Sequence, residues 1–249
     1  MARRSRLLRR MVLFASIIAP SIGHSYILPS TQIIEFMVKK YASVTTLQMT
    51  QLTKALDLDS ARETVFGETI FLMSPDRYRS EVAGQPGKRI LVHNRSRTLK
   101  IIDGEVGYAR ENRGFLFHFL MLAQDPRHVL KDLEQLGVNL DMVSLARLEG
   151  RIAYLIGNKE EGSPRLLVDK DLFIPLLLQY GSITFFASDF EELKPKLWYP
   201  RSLLHSYAGA NIEDYFQEEY RIKDIIVNPS IDASLFDIVA IRSRFVKRR

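Results

Sequence analysis

The side chains able to do chemistry are few and scattered. Histidines stand at positions 24, 93, 118, 128 and 205, with no H-x-x-x-H or H-E-x-x-H spacing that would bring two onto one metal. The chain has no cysteine, which removes disulfides, thiolate catalysis and zinc–thiolate sites together. No G-x-S-x-G elbow is present, and Gly84-Gln-Pro-Gly87 lacks the Lys-Ser/Thr pair that grips a nucleotide phosphate. Acidic residues fall side by side in pairs such as Glu160-Glu161, Glu191-Glu192 and Glu218-Glu219. Neighbours in a strand point to opposite faces, so these pairs read as solvated charges and not as an acid–base couple. The residues therefore predict no catalytic site, no metal and no cofactor.

The elements that hold these residues are mostly strands. Ser30–Ala42 reads as an amphipathic helix with Ile34, Met37, Val38 and Tyr41 on one face. Alternation then predicts strands at Thr45–Thr53, Thr64–Met73, Arg77–Val82, Arg89–Val92, Thr98–Ile102 and Val106–Ala109, with a charged turn at Asp57–Arg62. Asp103-Gly104 is a hairpin turn signal. In Arg77–Val82 the same alternation sets Arg77, Arg79 and Glu81 against Tyr78, Ser80 and Val82. The pattern breaks at Phe115–Gln124, an almost unbroken apolar run, and Asp125-Pro126 then opens a helix reaching Gly137. Strands return at 143–148, 151–156, 165–168, 173–180, 183–186, 198–207 and 215–227. This is a mainly β chain: one strongly curved antiparallel sheet, closed or nearly closed over its helices. The run from Phe115 to Leu122 is either a core element or a hydrophobic lid that lines a ligand cavity.

The ends add an address. Arg3, Arg4, Arg6, Arg9 and Arg10 precede an apolar stretch from Met11 to Ala19, with Pro20 and small residues after it. That order predicts a secretory signal over residues 1–25 and a single domain over 26–249, exported from the cytosol. The apolar stretch falls short of the roughly 20 residues of a membrane span. No cysteine follows it for a lipid anchor. The chain carries 35 Lys+Arg against 29 Asp+Glu, or +6; without the five leading arginines this becomes 30 against 29, or +1. A nearly neutral domain has no nucleic-acid footprint. Arg242, Arg244, Lys247, Arg248 and Arg249 read as a solvated basic tail, with weak attraction to anionic headgroups as the alternative.

Several stretches resemble one family. These are V-D with a later proline (Val168, Asp169, Pro175), W-Y-P-R (Trp198–Arg201) and N-P-x-I-D-x-S-L-F-D-I (Asn228–Ile238). In the first half Y-A-S (Tyr41–Ser43), T-L-Q (Thr46–Gln48) and S-P-D-R-Y-R (Ser74–Arg79) follow in the matching order. Together they resemble the LolA/LolB-like periplasmic lipoprotein carriers over almost the whole exported chain, the segment Gly114–Gly150 excepted. The resemblance implies an unclosed antiparallel β-barrel of about eleven strands, with helices forming a lid over an apolar cavity. It further implies a monomeric, non-enzymatic carrier whose partners are acylated lipoproteins or lipids, together with inner- and outer-membrane transfer partners. A LolA-like binding module that recognises a protein partner is the alternative. Such carriers latch the lid with an inward arginine, which implies Arg79, or Arg77 on the same face. Phe115, Phe119 and Leu122 are then the cavity candidates.

Overall fold

The computed structural model describes residues 27–57, 62–84, 87–107, 114–208 and 216–245. The expected signal segment, the turn at 58–61 and the last basic residues 247–249 lie outside them. Helix α1 (Ser30–Tyr41) buries Ile33, Ile34, Met37, Val38 and Tyr41, the face its 3.6-residue spacing demands. Six strands follow: β1 (Thr46–Asp57), β2 (Arg62–Met73), β3 (Arg77–Val82), β4 (Arg89–Asn94), β5 (Arg97–Ile102) and β6 (Glu105–Gly107). Asp103 and Gly104 both take positive φ, 50° and 85°, as a two-residue turn between right-twisting strands requires.

Two short helices come next, α2 (Leu116–Met121) and α3 (Pro126–Gln135). Asp125 caps α3 by accepting from the Arg127 amide, with Pro126 at the first helical position. The second run of strands is β7 (Val143–Leu148), β8 (Arg151–Gly157), β9 (Arg165–Asp169), β10 (Pro175–Tyr180), β11 (Ile183–Lys194), β12 (Leu197–Tyr207) and β13 (Phe216–Val227). A 3-10 turn (Ala233–Phe236) and helix α4 (Ile238–Phe245) end the described chain.

Among the described residues the strands join one antiparallel sheet of 13 strands in the order β6-β5-β4-β3-β2-β1-β13-β12-β11-β10-β9-β8-β7. The sheet curls but does not close, since β6 and β7 lie at opposite ends of that order. The unclosed antiparallel architecture expected from the sequence is what the chain adopts, with thirteen strands in place of about eleven. Its concave face carries α1, α2 and α3 on the main core, which runs from Ile33 through Phe117 and Leu166 to Phe185 and Tyr199.

A second, smaller core sits on the convex face of β2–β5. Val92, Leu99 and Ile101 are covered there by Phe236 of the 3-10 turn and Ile241 of α4. Ile241 is buried and Phe236 wholly so, while Arg242 and Arg244, the described members of the expected basic tail, are exposed. The family-like C-terminal residues act as caps. Asn228, at φ 57°, accepts from the Thr45 amide and donates to the Ser43 carbonyl. Asp232 accepts from the Ser234 amide, and Asp237 from the amides of Val239 and Ala240.

Candidate functional site

Beneath α2, on the concave face, lies a pocket of about 30 Å³, room for one or two water-sized groups. Strand alternation delivers its walls. Gln51 of β1, Glu68 of β2, Tyr78 and Ser80 of β3 and Arg89 of β4 occupy inward positions in register. From the other side β13 supplies Glu218 and Tyr220, and α2 with its approach closes the top with Phe115 and His118.

Glu68 organises this site. One carboxylate oxygen accepts from Gln51 Nε2 at 2.7 Å and Thr53 Oγ1 at 2.5 Å. The other accepts from Ser80 Oγ at 3.0 Å and an Arg89 guanidinium nitrogen at 2.5 Å. A buried carboxylate is tolerated only when paired and bonded in this way. Arg89 also lies over the Phe66 ring, 4.7 Å from its centroid. Gln51 Oε1 and Arg89 Nε have no hydrogen-bond partner among the described residues, so the network keeps one acceptor and one donor unfilled.

Glu218 forms a second centre. It accepts from the Tyr220 hydroxyl and lies 3.9 Å from Nδ1 of His205, whose ring stacks on Phe185 at 4.5 Å. Glu218 is 3 % exposed. The reading of Glu218-Glu219 as a solvated pair is thereby corrected: Glu219 is only half-buried, but Glu218 shares the inward face with Phe216 and Tyr220. That face was readable in the period-2 pattern of β13, where 216, 218 and 220 fall together. Burial, then the nearby carboxylates, push the phenols of Tyr78 and Tyr220 up, so both remain neutral. His118 on α2 is driven down to about 4 by burial and is hydrogen-bonded at 2.7 Å to the Tyr199 hydroxyl of β12. It is neutral at ordinary pH. No nucleophile–base pair emerges from these contacts, and the described residues contain no group of three metal-ligating side chains.

The apolar candidates are brought together as a plug. Phe115 stacks on His93 at 4.3 Å and meets Tyr78 at 5.4 Å; Phe119 lies 5.7 Å from His93. Leu122 is buried just after α2, where its carbonyl accepts from Ser74 Oγ. The concavity is thus covered by helices, as expected of a lid, and the pocket under α2 is lined by more polar than apolar groups, where an apolar cavity was expected. The two arginines point elsewhere. Tyr78 and Ser80 take the concave side, so Arg79 and Arg77 fall on the convex one. Arg79 does donate to a helical carbonyl, Leu235 O at 2.8 Å, but in the C-terminal 3-10 turn, and it also pairs with Glu81 at 2.6 Å. The expectation of an inward latch on lid helices is corrected for both residues, because register puts them on the opposite face.

An open, strongly curved antiparallel sheet holding short helices and a small polar pocket on its concave side defines the class of protein. No family model and no curated protein matches the sequence. Among solved structures the chain is similar to a LolA superfamily protein from Nitrosomonas europaea, with TM-score 0.53, 9% identity, and coverage of 86% of this chain and 100% of that one. It is similar to a DUF1329 family protein from Desulfovibrio piger, with TM-score 0.52, 10% identity, and coverage of 85% and 97%. A domain from Vibrio parahaemolyticus described as an outer membrane lipoprotein-sorting protein gives TM-score 0.51, 9% identity, and coverage of 85% and 97%. The fold of this chain is LolA-like.

Proposed function

We propose that this chain is a non-enzymatic periplasmic carrier that takes up the acyl chains of lipoproteins or lipids on its concave face and passes them toward the outer membrane. The carrying observation is that the concave core is capped by separate short helices and not by further strands. Lifting α2 would uncover Phe117, Phe185 and Leu122 without breaking a single rung of the sheet. The polar contacts that hold α2 and its exit include His118 to Tyr199, Ser74 to the Leu122 carbonyl, and Gln124 to the Val44 carbonyl. The lipoprotein-sorting description of one structure with this fold supports the same reading. Each methylene that replaces α2 side chains on the sheet contributes about 0.8 kcal/mol, so one chain gives reversible binding.

The absence of cysteine makes the test clean. Cysteines placed at His93 and Phe119, whose rings lie 5.7 Å apart, can be bridged by a short bifunctional thiol crosslinker that pins α2 to the sheet. A fluorescent fatty acid should bind the uncrosslinked form, be displaced by acylated peptide, and bind the crosslinked form at least about tenfold more weakly. Equal binding by both forms removes the proposed entry route. Equal displacement by deacylated peptide replaces the carrier with a module that recognises a protein partner.

A further inference from the structure

The convex face holds a cleft that the carrier reading leaves unused. It is lined by Arg77, Asn94, Arg95, Ser96 and Arg97, at the β4–β5 turn and the start of β3. Register explains the grouping. Arg77 pairs with Asn94, and Asn94 with Arg97, so the three are side-by-side positions on three adjacent strands. Neighbouring strands lie about 4.8 Å apart, which puts the Arg77 and Arg97 backbones roughly 10 Å apart, with Asn94 between them. Arg95 joins from the turn itself at φ 57°, its amide bonded to the Asp76 carbonyl at 3.2 Å.

Like charges set this close repel unless something neutralises them. Among the described residues none of the three arginines forms an ion pair. Arg77 is half-buried, and its Nε has no hydrogen-bond partner, while one terminal nitrogen lies 3.1 Å from the Met73 sulfur. Two acids stand nearby. Asp76 precedes Arg77 in the chain, and Asp237 lines the adjoining groove, where its Oδ1 is taken by the backbone amides of Val239 and Ala240. The cleft thus offers to one occupant several guanidinium forks, a hydroxyl and the second N–H of the Asn94 carboxamide, whose other N–H goes to the Phe236 carbonyl at 2.9 Å. That donor set matches the oxygens of a tetrahedral dianion or monoanion better than a carboxylate's two. The adjoining groove, which shares Arg77, Asn94 and Arg97, runs to Ile238 and to Val239, 66 % exposed on α4.

We infer that Arg77, Asn94, Arg95, Ser96 and Arg97 form a binding site for a phosphate group, carried either by a lipid headgroup or by a free phosphate. This site is independent of acyl uptake on the other face. Two arms separate the sources. In the first, the full chain is floated with phosphatidylcholine vesicles with and without phosphatidylglycerol. In the second, inorganic phosphate is titrated while the arginine Nε–H resonances are followed. A headgroup site predicts salt-sensitive flotation with phosphatidylglycerol, weakened at least about tenfold by R95Q/R97Q and by R77Q. A free-phosphate site predicts perturbed arginine resonances, lost in the same variants, with no flotation. The control is R242Q/R244Q, on α4 outside the cleft, which should weaken either signal less than R95Q/R97Q does. Loss of the same size from both pairs means diffuse attraction to a basic surface and overturns the site, as does the absence of both signals in folded protein.

Discussion

His118 is the side chain whose chemistry is most changed by the fold. Burial lowers it to about 4, against an ordinary histidine value near 6.5. As pH falls through about 6.5 the unfolded chain takes up a proton there that the folded chain refuses until about 4. Stability therefore declines with falling pH across that window, by an amount on the order of 3 kcal/mol. Urea unfolding at pH 7, 5 and 4 should show this decline, and His118→Phe should remove that share of it while lowering stability at pH 7, because Tyr199 loses its partner. Parallel pH curves for the two proteins would contradict a buried neutral imidazole. Any state with α2 lifted frees His118 to protonate, so acyl uptake should strengthen as pH drops below about 6. His118 and Glu218 also mark how far the site could be read from sequence. Both stood in plain view, one inside an apolar run and one beside another glutamate. Neither type of residue announces burial, which here comes from partners contributed by strands far away in the chain. Glu68 is similar: Arg89 and Ser80 reach it only through the pairings of β2 with β3 and β3 with β4.

At the scale of elements, the C-terminal segment is the one whose role changed most between sequence and structure. Strands such as Arg77–Val82 and Val143–Leu148 were legible to the residue because period-2 alternation and turn residues agree. The cap of α3 at Asp125-Pro126 was legible for the same reason, local chemistry at fixed spacing. Helix α4 offers little of this kind: eight residues, with arginines at 242 and 244 beside Ile238 and Ile241. Its burial depends on a sheet face built more than a hundred residues earlier. Arg79 holds that segment through the Leu235 carbonyl, with Asn94 holding the next carbonyl, that of Phe236. Arg79→Leu should therefore loosen residues 233–245 and not the concave face. A charge-assisted bond of about 1.5–3 kcal/mol predicts amide exchange in that segment faster by roughly tenfold or more, with acyl-probe affinity unchanged. Weakened acyl binding with unaltered exchange would restore Arg79 to the cavity side.

For the whole molecule, the strand order says how the chain is laid down. From β1 the first half meanders outward to β6; the second half begins at the far edge with β7 and meanders back to β13, which pairs with β1. The connection from β6 to β7 must pass from one edge of the sheet to the other, and it is this passage that lays α2 and α3 across the concavity. Each half also lends a helix to the other. From the first half, α1 sets Phe36 on Phe173 at 4.9 Å and bonds Tyr41 to the Trp198 carbonyl; from the second, α4 and its 3-10 turn cover β4 and β5. The molecule is in effect two interlocking pieces that happen to be on one string. Severing the string between Gly107 and Gly114 should leave fragments that find each other. Co-expressed, they should purify as a one-to-one complex with a single cooperative melt; expressed singly, neither should melt cooperatively, since each then exposes the core its partner's helix covers. A half that folded cooperatively alone would show that the exchange of helices is decoration. If instead the halves require each other, the protein can be assembled from two separately delivered parts, and the function proposed for it switched on by their meeting.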